Sequence, residues 1–544
     1  MPPRRVASRA ASRPGGFRHY GRVSLTGVPD SRPIRDRLDS TAVHGPLSRR
    51  LPGADSVWWL ALVSAAFTLV QLASVPLRLP LGTDEVIYAT QVSAHVPTAW
   101  FDPARARGVP LLIAPVTAIT NSGAALRLYL AVLSGLALFG ALMVWRRLRP
   151  TWVLALAGLV FGGLWVVQYY GPRAAPDLWV GLGAVATLGY FLRLWPPGLE
   201  GHPPTARGEA REAQARRREA RVALAGLGTC LALVTLMRPG DAVWLALPLA
   251  GATLVVRRWR HWPALVAIAG GLVAGGLEWV IEAYARFGGF FERLHAAAAE
   301  QAGFGLHAGI LAQLRSLNGP VQCRPCTVPL QYPALSLWWF ALPVLAICGV
   351  LAARQSGRLS SSALPALCGL SVAVQYLFLI GYAAPRFLIP AYALLSLPVA
   401  DALAWLLTGL RHRALRVMAQ GLVGISLVLQ LVGQHVVLVN QVASTMVFHS
   451  TFERIAADLR RHDVRPPCLV NGYQAIPIAF YAGCASAPSP SQVGTSVAIA
   501  IMQHRGVPAA PGYGLTWTRE RLSVEGKRLV VYLAHIPQSK RGPN

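Results

Sequence analysis

The sequence predicts an α-helical polytopic membrane protein of about eleven transmembrane helices with a small C-terminal extracytoplasmic α/β domain, and three observations predict it. Of 544 residues, 54% are hydrophobic and only 14% charged, whereas a soluble domain carries roughly 25% charged residues. Apolar runs recur from Val57 to Asn440 with short polar knots between them, each about 16–24 residues long, the length that crosses a ~30 Å hydrocarbon core. Beyond Asn440 this pattern gives way to mixed helix and strand signals.

Taken in order, residues 1–50 hold eleven Arg and no Lys among Pro, Gly and Ser. No sustained apolar face runs through them, so they read as a disordered cytoplasmic tail. That stretch is too long and Arg-dense for a secretory n-region, and no small-residue cleavage site follows the first apolar run; no cleaved signal is expected. The membrane part, residues 51–440, offers spans at 57–77, 124–145, 151–170, 178–195, 222–237, 241–256, 263–285, 335–353, 362–381, 387–409 and 417–439. Val109–Thr120 is apolar but short and interrupted by Pro110 and Pro115, which suits an interfacial or re-entrant piece of the first outer loop.

With the amino terminus inside, the cytoplasmic side receives the tail, Arg146/Arg147/Arg149, the 196–221 loop, Arg257/Arg258/Arg260, Arg354/Arg358 and Arg411/Arg413/Arg416, 28 Arg in all. The outer loops up to Arg386 hold eleven, as the positive-inside rule requires, and the carboxyl terminus falls outside. The net charge of +28 is therefore topological. It forms no basic stripe interleaved with stacking aromatics, which argues against a nucleic-acid partner.

Residues 441–544 open with an amphipathic helical pattern, Phe452, Ile455, Ala456 and Leu459 against Arg454, Asp458 and Arg461. Strand-like runs follow at Cys468–Val470 and Leu529–Leu533, with a loop by composition at Ala485–Pro490. Cys230, Cys348 and Cys368 lie inside spans, where apolar packing is the default. Cys323-Arg-Pro-Cys326 reads as a tight disulfide in an outer loop. Spacing leaves the partners of Cys468 and Cys484 open, a second staple being one pairing.

The first outer loop carries Asp84 and Glu85 just past the first span. A carboxylate there can act as general base on an acceptor hydroxyl; equally, Thr83 and Asp84 can cap a helix starting near Glu85. The proposed topology brings Asp102, Arg105, Arg107, Arg173, Asp177, Arg238, Asp241 and Arg386 to the same side. Each Arg alone is accounted for by snorkelling or a neighbouring acid. Gathered at a membrane edge, they suit a phosphate-bearing substrate, with guanidinium on phosphate oxygens and carboxylate on a hydroxyl. In the seventh span Glu278 and Glu282 share a face with Arg286. They read either as a Glu282–Arg286 pair or as a polar wall for sugar hydroxyls.

Four segments, T-D-E-V-I-Y at Thr83–Tyr88, R-A-A-P-D at Arg173–Asp177, L-M-R-P-G-D at Leu236–Asp241 and P-R-F-L-I-P-A-Y at Pro385–Tyr392, resemble those of the C-type glycosyltransferase (GT-C) superfamily. Its members include the protein O-mannosyltransferases and the aminoarabinose transferase of lipid A. The resemblance covers the membrane part and the soluble carboxyl-terminal domain. It implies inverting transfer of a sugar from a polyprenyl-phosphate donor to a hydroxyl on a glycan, lipid or protein, with the lipid-linked sugar as substrate and no cofactor. It also implies Asp84 as base, Glu85 in support, and Arg386 first among Arg105, Arg107 and Arg238 as ligands of donor phosphate. Two departures stand out: Phe387 occupies a position where Tyr is usual, and the first loop lacks the D-x-D of metal-dependent oligosaccharyl relatives. No metal-ligand spacing is present either, so metal-independent transfer is expected. The competing readings are a multi-span transporter or flippase, which predicts repeated halves, and a non-catalytic envelope assembly protein, which predicts indifference to loss of Asp84.

Overall fold

The computed structural model describes residues 55–195, 206–301, 303, 305–324, 326–486, 498–503, 517–524 and 527–535. The Arg-rich 1–50 stretch and most of the Ala485–Pro490 loop lie outside them. In chain order the helices are α1 (Trp58–Ser74), α2 (Thr83–Thr90), α3 (Gly108–Thr117), α4 (Gly123–Trp145), α5 (Thr151–Gly162), α6 (Trp165–Tyr170), α7 (Asp177–Arg193), α8 (Ala206–Met237) and α9 (Pro239–Val255). They continue with α10 (Trp262–Arg286), α11 (Phe290–Glu300), α12 (Gly309–Ser316), α13 (Leu337–Gln355), α14 (Leu359–Val374), α15 (Ile389–Thr408), α16 (Arg413–Arg461) and α17 (Ala475–Ala482).

Every apolar run expected to span is helical. Among the described residues seven helices are long and apolar enough to cross a membrane, and Trp58–Ser74, Gly108–Thr117, Thr151–Gly162 and Pro239–Val255 are shorter apolar helices. These seven helices of spanning length stand against the eleven spans expected, and the other differences from the sequence are local. The expected 151–170 span is two helices, because Gly162-Gly163 ends the first and Leu164 is extended. A Cβ on Gly163 would lie 2.4 Å from Leu431 Cδ2, so a larger residue here would push the Leu431 side chain of α16 aside. The 196–221 loop is helical from Ala206 onward, since its Ala, Glu, Gln and Arg are strong helix formers. Most of the Val109–Thr120 run lies in the ten-residue helix α3, which ends at Thr117.

The helices pack around α15, which is almost wholly buried and touches α5, α7, α13 and α14. The bundle instead exposes apolar side chains such as Leu128, Val132 and Leu136 of α4, Val273 and Leu277 of α10, and Leu422 and Leu429 of α16, as helices facing lipid do. α16 runs unbroken for 49 residues through position 440, because neither Gly nor Pro interrupts it after Gly433. At 1.5 Å per residue it is about 74 Å long, far more than a ~30 Å apolar core.

The far end of α16 is one wall of a second core. Strands β1 (Cys468–Gly472), β2 (Ala485–Ser486), β3 (Ala498–Gln503), β4 (Thr518–Val524) and β5 (Lys527–His535) form one sheet in the order β2-β1-β3-β5-β4. β1 runs parallel to β2 and β3, and β5 antiparallel to β3 and β4. Phe452, Ile455, Ala456 and Leu459, the apolar stripe read from the sequence, pack on Val470, Ile478, Ala479, Val531 and Leu533. Two disulfides are present, Cys323–Cys326 and Cys468–Cys484.

Candidate active site

The site grows from the short turn between α1 and α2. Gly82 is the N-cap of α2, and Thr83, Asp84 and Glu85 fill its first turn, where carboxylates meet the positive end of the helix dipole. Glu85 reaches back so that Oε2 accepts the Gly82 N–H at 3.1 Å, one half of a capping box. The same carboxylate takes Arg127 Nη1 at 3.0 Å and Arg173 Nη2 at 2.8 Å. Arg127, fully buried, spends its other donors on Leu79 O, Pro80 O and Pro172 O. Burial alone would raise the Glu85 pKa, but Arg127 and Arg173 pull it down to about 2. Glu85 is thus an ionised staple that fixes the turn.

Asp84 is placed differently. Its Oδ1 accepts Arg105 Nη2 at 2.8 Å and its Oδ2 accepts Arg386 Nη1 at 2.5 Å, while its side chain stays 30% exposed. Against the effect of burial, Arg386 and Arg105 hold its carboxyl well below the usual carboxylate range. Arg105 lies 5.0 Å over the Tyr88 ring and also pairs with Asp102. Near Asp102, burial and that carboxylate push Glu300 of α11 up to about 7.

A second group adjoins the first through Arg386. Arg238 Nη1 meets Asp177 Oδ1 at 2.5 Å and stands 3.9 Å from Asp241 Oδ2; Asp241 Oδ1 accepts from Gln375 and Tyr376. Gln375 opens a single π-helical turn, Gln375–Leu379, that prolongs α14, a local feature that recurs at functional sites. Arg386 Nε is 3.7 Å from Asp177 Oδ2, and both atoms are buried with no hydrogen-bond partner. Phe387 stacks on Tyr376 at 4.9 Å between centroids, and its ring lies 5.1 Å from the Arg238 guanidinium and 5.6 Å from that of Arg386. Phenylalanine here is a shelf for two cations.

Arg107, Glu278 and Glu282 are brought together elsewhere. Arg107 pairs with Glu282, lies 3.8 Å from Glu278 and donates to Gln91 Oε1 at 2.8 Å. The expected Glu282–Arg286 pair is present at 2.8 Å. Arg293 of α11 joins Glu282 at 3.0 Å and donates to Pro103 O and Arg105 O. This cluster holds the segment that delivers Arg105 to Asp84. The sequence reading missed Arg127 and Arg293; a buried arginine inside or beside apolar sequence was the available signal.

Two cavities meet at Asp84. One, about 280 Å³, lies between the Gly82–Glu85 turn, α6 and the C-terminal half of α16; the other, about 200 Å³, is lined by Asp102, Arg105, Asp177, Arg238, Glu300 and Arg324. Asp84, Ala175, Gln322 and Arg386 line both. The Asp84–Arg386 pair therefore stands in the wall between them.

No protein-family model matches this sequence, and no curated protein matches it. Among solved structures, ArnT from Cupriavidus metallidurans bound to undecaprenyl phosphate is similar over 90% of this chain and 100% of its own, at 14% identity and a TM-score of 0.59. The apo state of that protein gives 15% identity and 0.57 over the same shares. The chain has the GT-C fold.

Proposed function

We propose that this chain with the GT-C fold is a membrane glycosyltransferase that moves a sugar from a polyprenyl-phosphate donor to a hydroxyl acceptor at the outer face, with Asp84 as general base. The carrying observation is the Asp84 carboxylate held by Arg105 and Arg386 at the junction of two cavities. The donor class is supported by ArnT, whose solved structure holds undecaprenyl phosphate. The outward orientation is supported by the arginine bias of the loops.

Chemically, the donor phosphate enters the cavity of Arg105, Arg238 and Arg386 and competes with Asp84 for Arg105 and Arg386. A carboxylate neutralised by two guanidinium groups is a weak base. As phosphate oxygens take over those groups, Asp84 recovers its basicity beside the acceptor. Its Oδ removes the hydroxyl proton while the hydroxyl oxygen bonds to the anomeric carbon on the face opposite the phosphate. The carbon–oxygen bond to phosphate breaks, its electron pair leaves with the polyprenyl phosphate, and the configuration inverts. Arg386 and Arg105 stabilise the departing charge. Arg173, which serves Glu85, holds the turn.

The test is transfer from radiolabelled polyprenyl-phosphate sugars in membranes holding native chain, Asp84→Asn or Glu85→Gln. Asp84→Asn is expected to fold and lose transfer, and Glu85→Gln to lose folded protein. Equal transfer by native and Asp84→Asn chains overturns it, as does labelling that finds position 84 in the cytosol.

A further inference from the structure

We propose that the cavity between the Gly82–Glu85 turn and α16 is the acceptor subsite, and that it takes an uncharged carbohydrate. This rests on Asp84 being the base. An in-line displacement needs donor and acceptor on opposite sides of the reacting carbon, with the base reaching the acceptor. Asp84 lines two cavities, and the one carrying Arg105, Arg238 and Arg324 has the guanidinium groups a phosphate requires. The other is left for the incoming hydroxyl.

Its lining gives the acceptor's chemistry. Every acid and arginine on it is paired within the protein, Arg173 with Glu85 at 2.8 Å and Arg386 with Asp84 at 2.5 Å. Arg173 is buried against Glu85 and Arg386 is the guanidinium that the donor phosphate takes, so neither is left for an anionic acceptor. What remains is neutral and polar, or aromatic: Gln441, Thr445 and Gln474 with Phe448, His449 and Phe452. His449 Nδ1 donates to Pro80 O at 2.9 Å, which leaves Nε2 of the neutral ring with its lone pair. Gly82 admits this ring, since a Cβ there would lie 2.6 Å from His449 Cε1. Amide, hydroxyl and imidazole edges beside flat apolar rings match a sugar, which has a hydroxyl rim and apolar C–H faces. Peptides are commonly captured on a strand edge or in a long groove. This cavity, about 280 Å³, is compact, and none of its described lining residues belongs to a β-strand.

The segment after β1 completes the subsite. Thr83 Oγ1 donates to Gln474 Oε1 at 3.1 Å and the Leu81 N–H donates to Tyr481 OH at 2.6 Å. The sheet end of the chain therefore touches the turn that carries the base and contributes a wall to the acceptor cavity.

Saturation-transfer NMR on the full chain in lipid nanodiscs tests this without turnover. The probes are mannotriose, maltotriose and arabinotriose, their terminally phosphorylated forms and a Ser/Thr-rich peptide, each with and without undecaprenyl phosphate. At least one neutral trisaccharide is expected to bind, and Phe448→Ala and Gln474→Ala are each expected to weaken it about ten-fold. Affinity for undecaprenyl phosphate should stay within about two-fold in both variants. Preference for the phosphorylated probe or the peptide, no binding of any neutral probe in either lipid state, or native-like binding by both variants overturns the proposal. An active native chain with an active Asp84→Asn variant would instead count against the base, leaving the binding result to stand separately.

Discussion

Two arginine–carboxylate clusters sit toward opposite ends of α4, and they do opposite things with the same chemistry. Near its start, Arg127 anchors the turn of Asp84, whose carboxylate is shared by two partly exposed arginines beside two cavities. Beyond its end, Arg149 meets Asp401 of α15 at 2.7 Å, and its guanidinium donates to Leu397 O and Ser361 O. Arg149 and Asp401 are sealed, at 0% and 2% side-chain exposure. The two positions are 22 residues apart, about 33 Å along a helix. Ionisable residues at membrane depth tend to mark function, yet only the first cluster has room for a ligand and cations that can change partners. The second ties the α4–α5 connection to α14 and α15.

Asp84→Asn should separate the two clusters most clearly. It should remove about 10²–10⁴-fold of transfer, the range for a general base, and lower the thermal midpoint in detergent less than loss of the inner pair does, because water reaches the two arginines it leaves behind. A variant that is inactive because it fails to fold would erase the distinction.

Arg149→Leu should do the reverse. Asp401 then keeps only the partly exposed Arg358, 4.0 Å away, and losing its buried partner costs about 3 kcal/mol, read as a lower thermal midpoint and a lower folded yield. Transfer per folded molecule should hold. Arg149→Leu combined with Asp401→Leu should recover much of the loss, since two apolar side chains leave no buried charge. Loss of specific activity in folded Arg149→Leu protein would give the inner cluster a functional part.

These clusters also show what a sequence can and cannot reveal. The helices were legible because length and apolarity are properties of contiguous residues, and each expected apolar run is helical here. Asp84 and Arg386 were both legible as candidates, each being a charge at the edge of an apolar run, although 302 positions separate them. Partner choice was not legible. Glu85 looks like an auxiliary to Asp84 until Arg127, 42 positions on, is seen to claim it. Arg107 looks like Arg105 by position, but helix geometry sends it to Glu278 and Glu282 of α10. Gln474 and Tyr481 carried no signal at all, because a neutral hydrogen bond across 391 or 400 positions leaves no pattern in composition or periodicity.

A finer cut within the Asp84 cluster uses pH. Arg105→Gln removes one of the two cations that stabilise the ionised carboxylate, so the Asp84 pKa should rise. Because the base must be deprotonated, the acid limb of kcat/KM should move to higher pH than in the native chain. Stability follows the same sign. A carboxyl whose native pKa is depressed stabilises the fold above its unfolded value of about 3.9 and loses that contribution as pH falls through the native value. The gap in thermal midpoint between native and Arg105→Gln chains should therefore narrow on acidification. An unshifted acid limb would mean that some other group sets it.

The smallest effect separates holding the base from being the base. Tyr481→Phe keeps the ring and removes only the hydroxyl that accepts the buried Leu81 N–H. An unmet backbone donor costs about 1–3 kcal/mol, and here the cost falls on the turn that sets the direction of Asp84. If the turn relaxes to recover a partner, about 1 kcal/mol of lost alignment lowers kcat roughly five-fold. The donor KM should hold, because Tyr481 lines neither cavity. A fall in kcat with an unshifted acid limb would mark Tyr481 as a positioning residue, acting on the geometry of the carboxylate and leaving its charge environment alone. A raised donor KM with normal kcat would place its influence on the arginines instead, and would blur the division between the turn that carries the proposed base and the cations proposed to hold the phosphate.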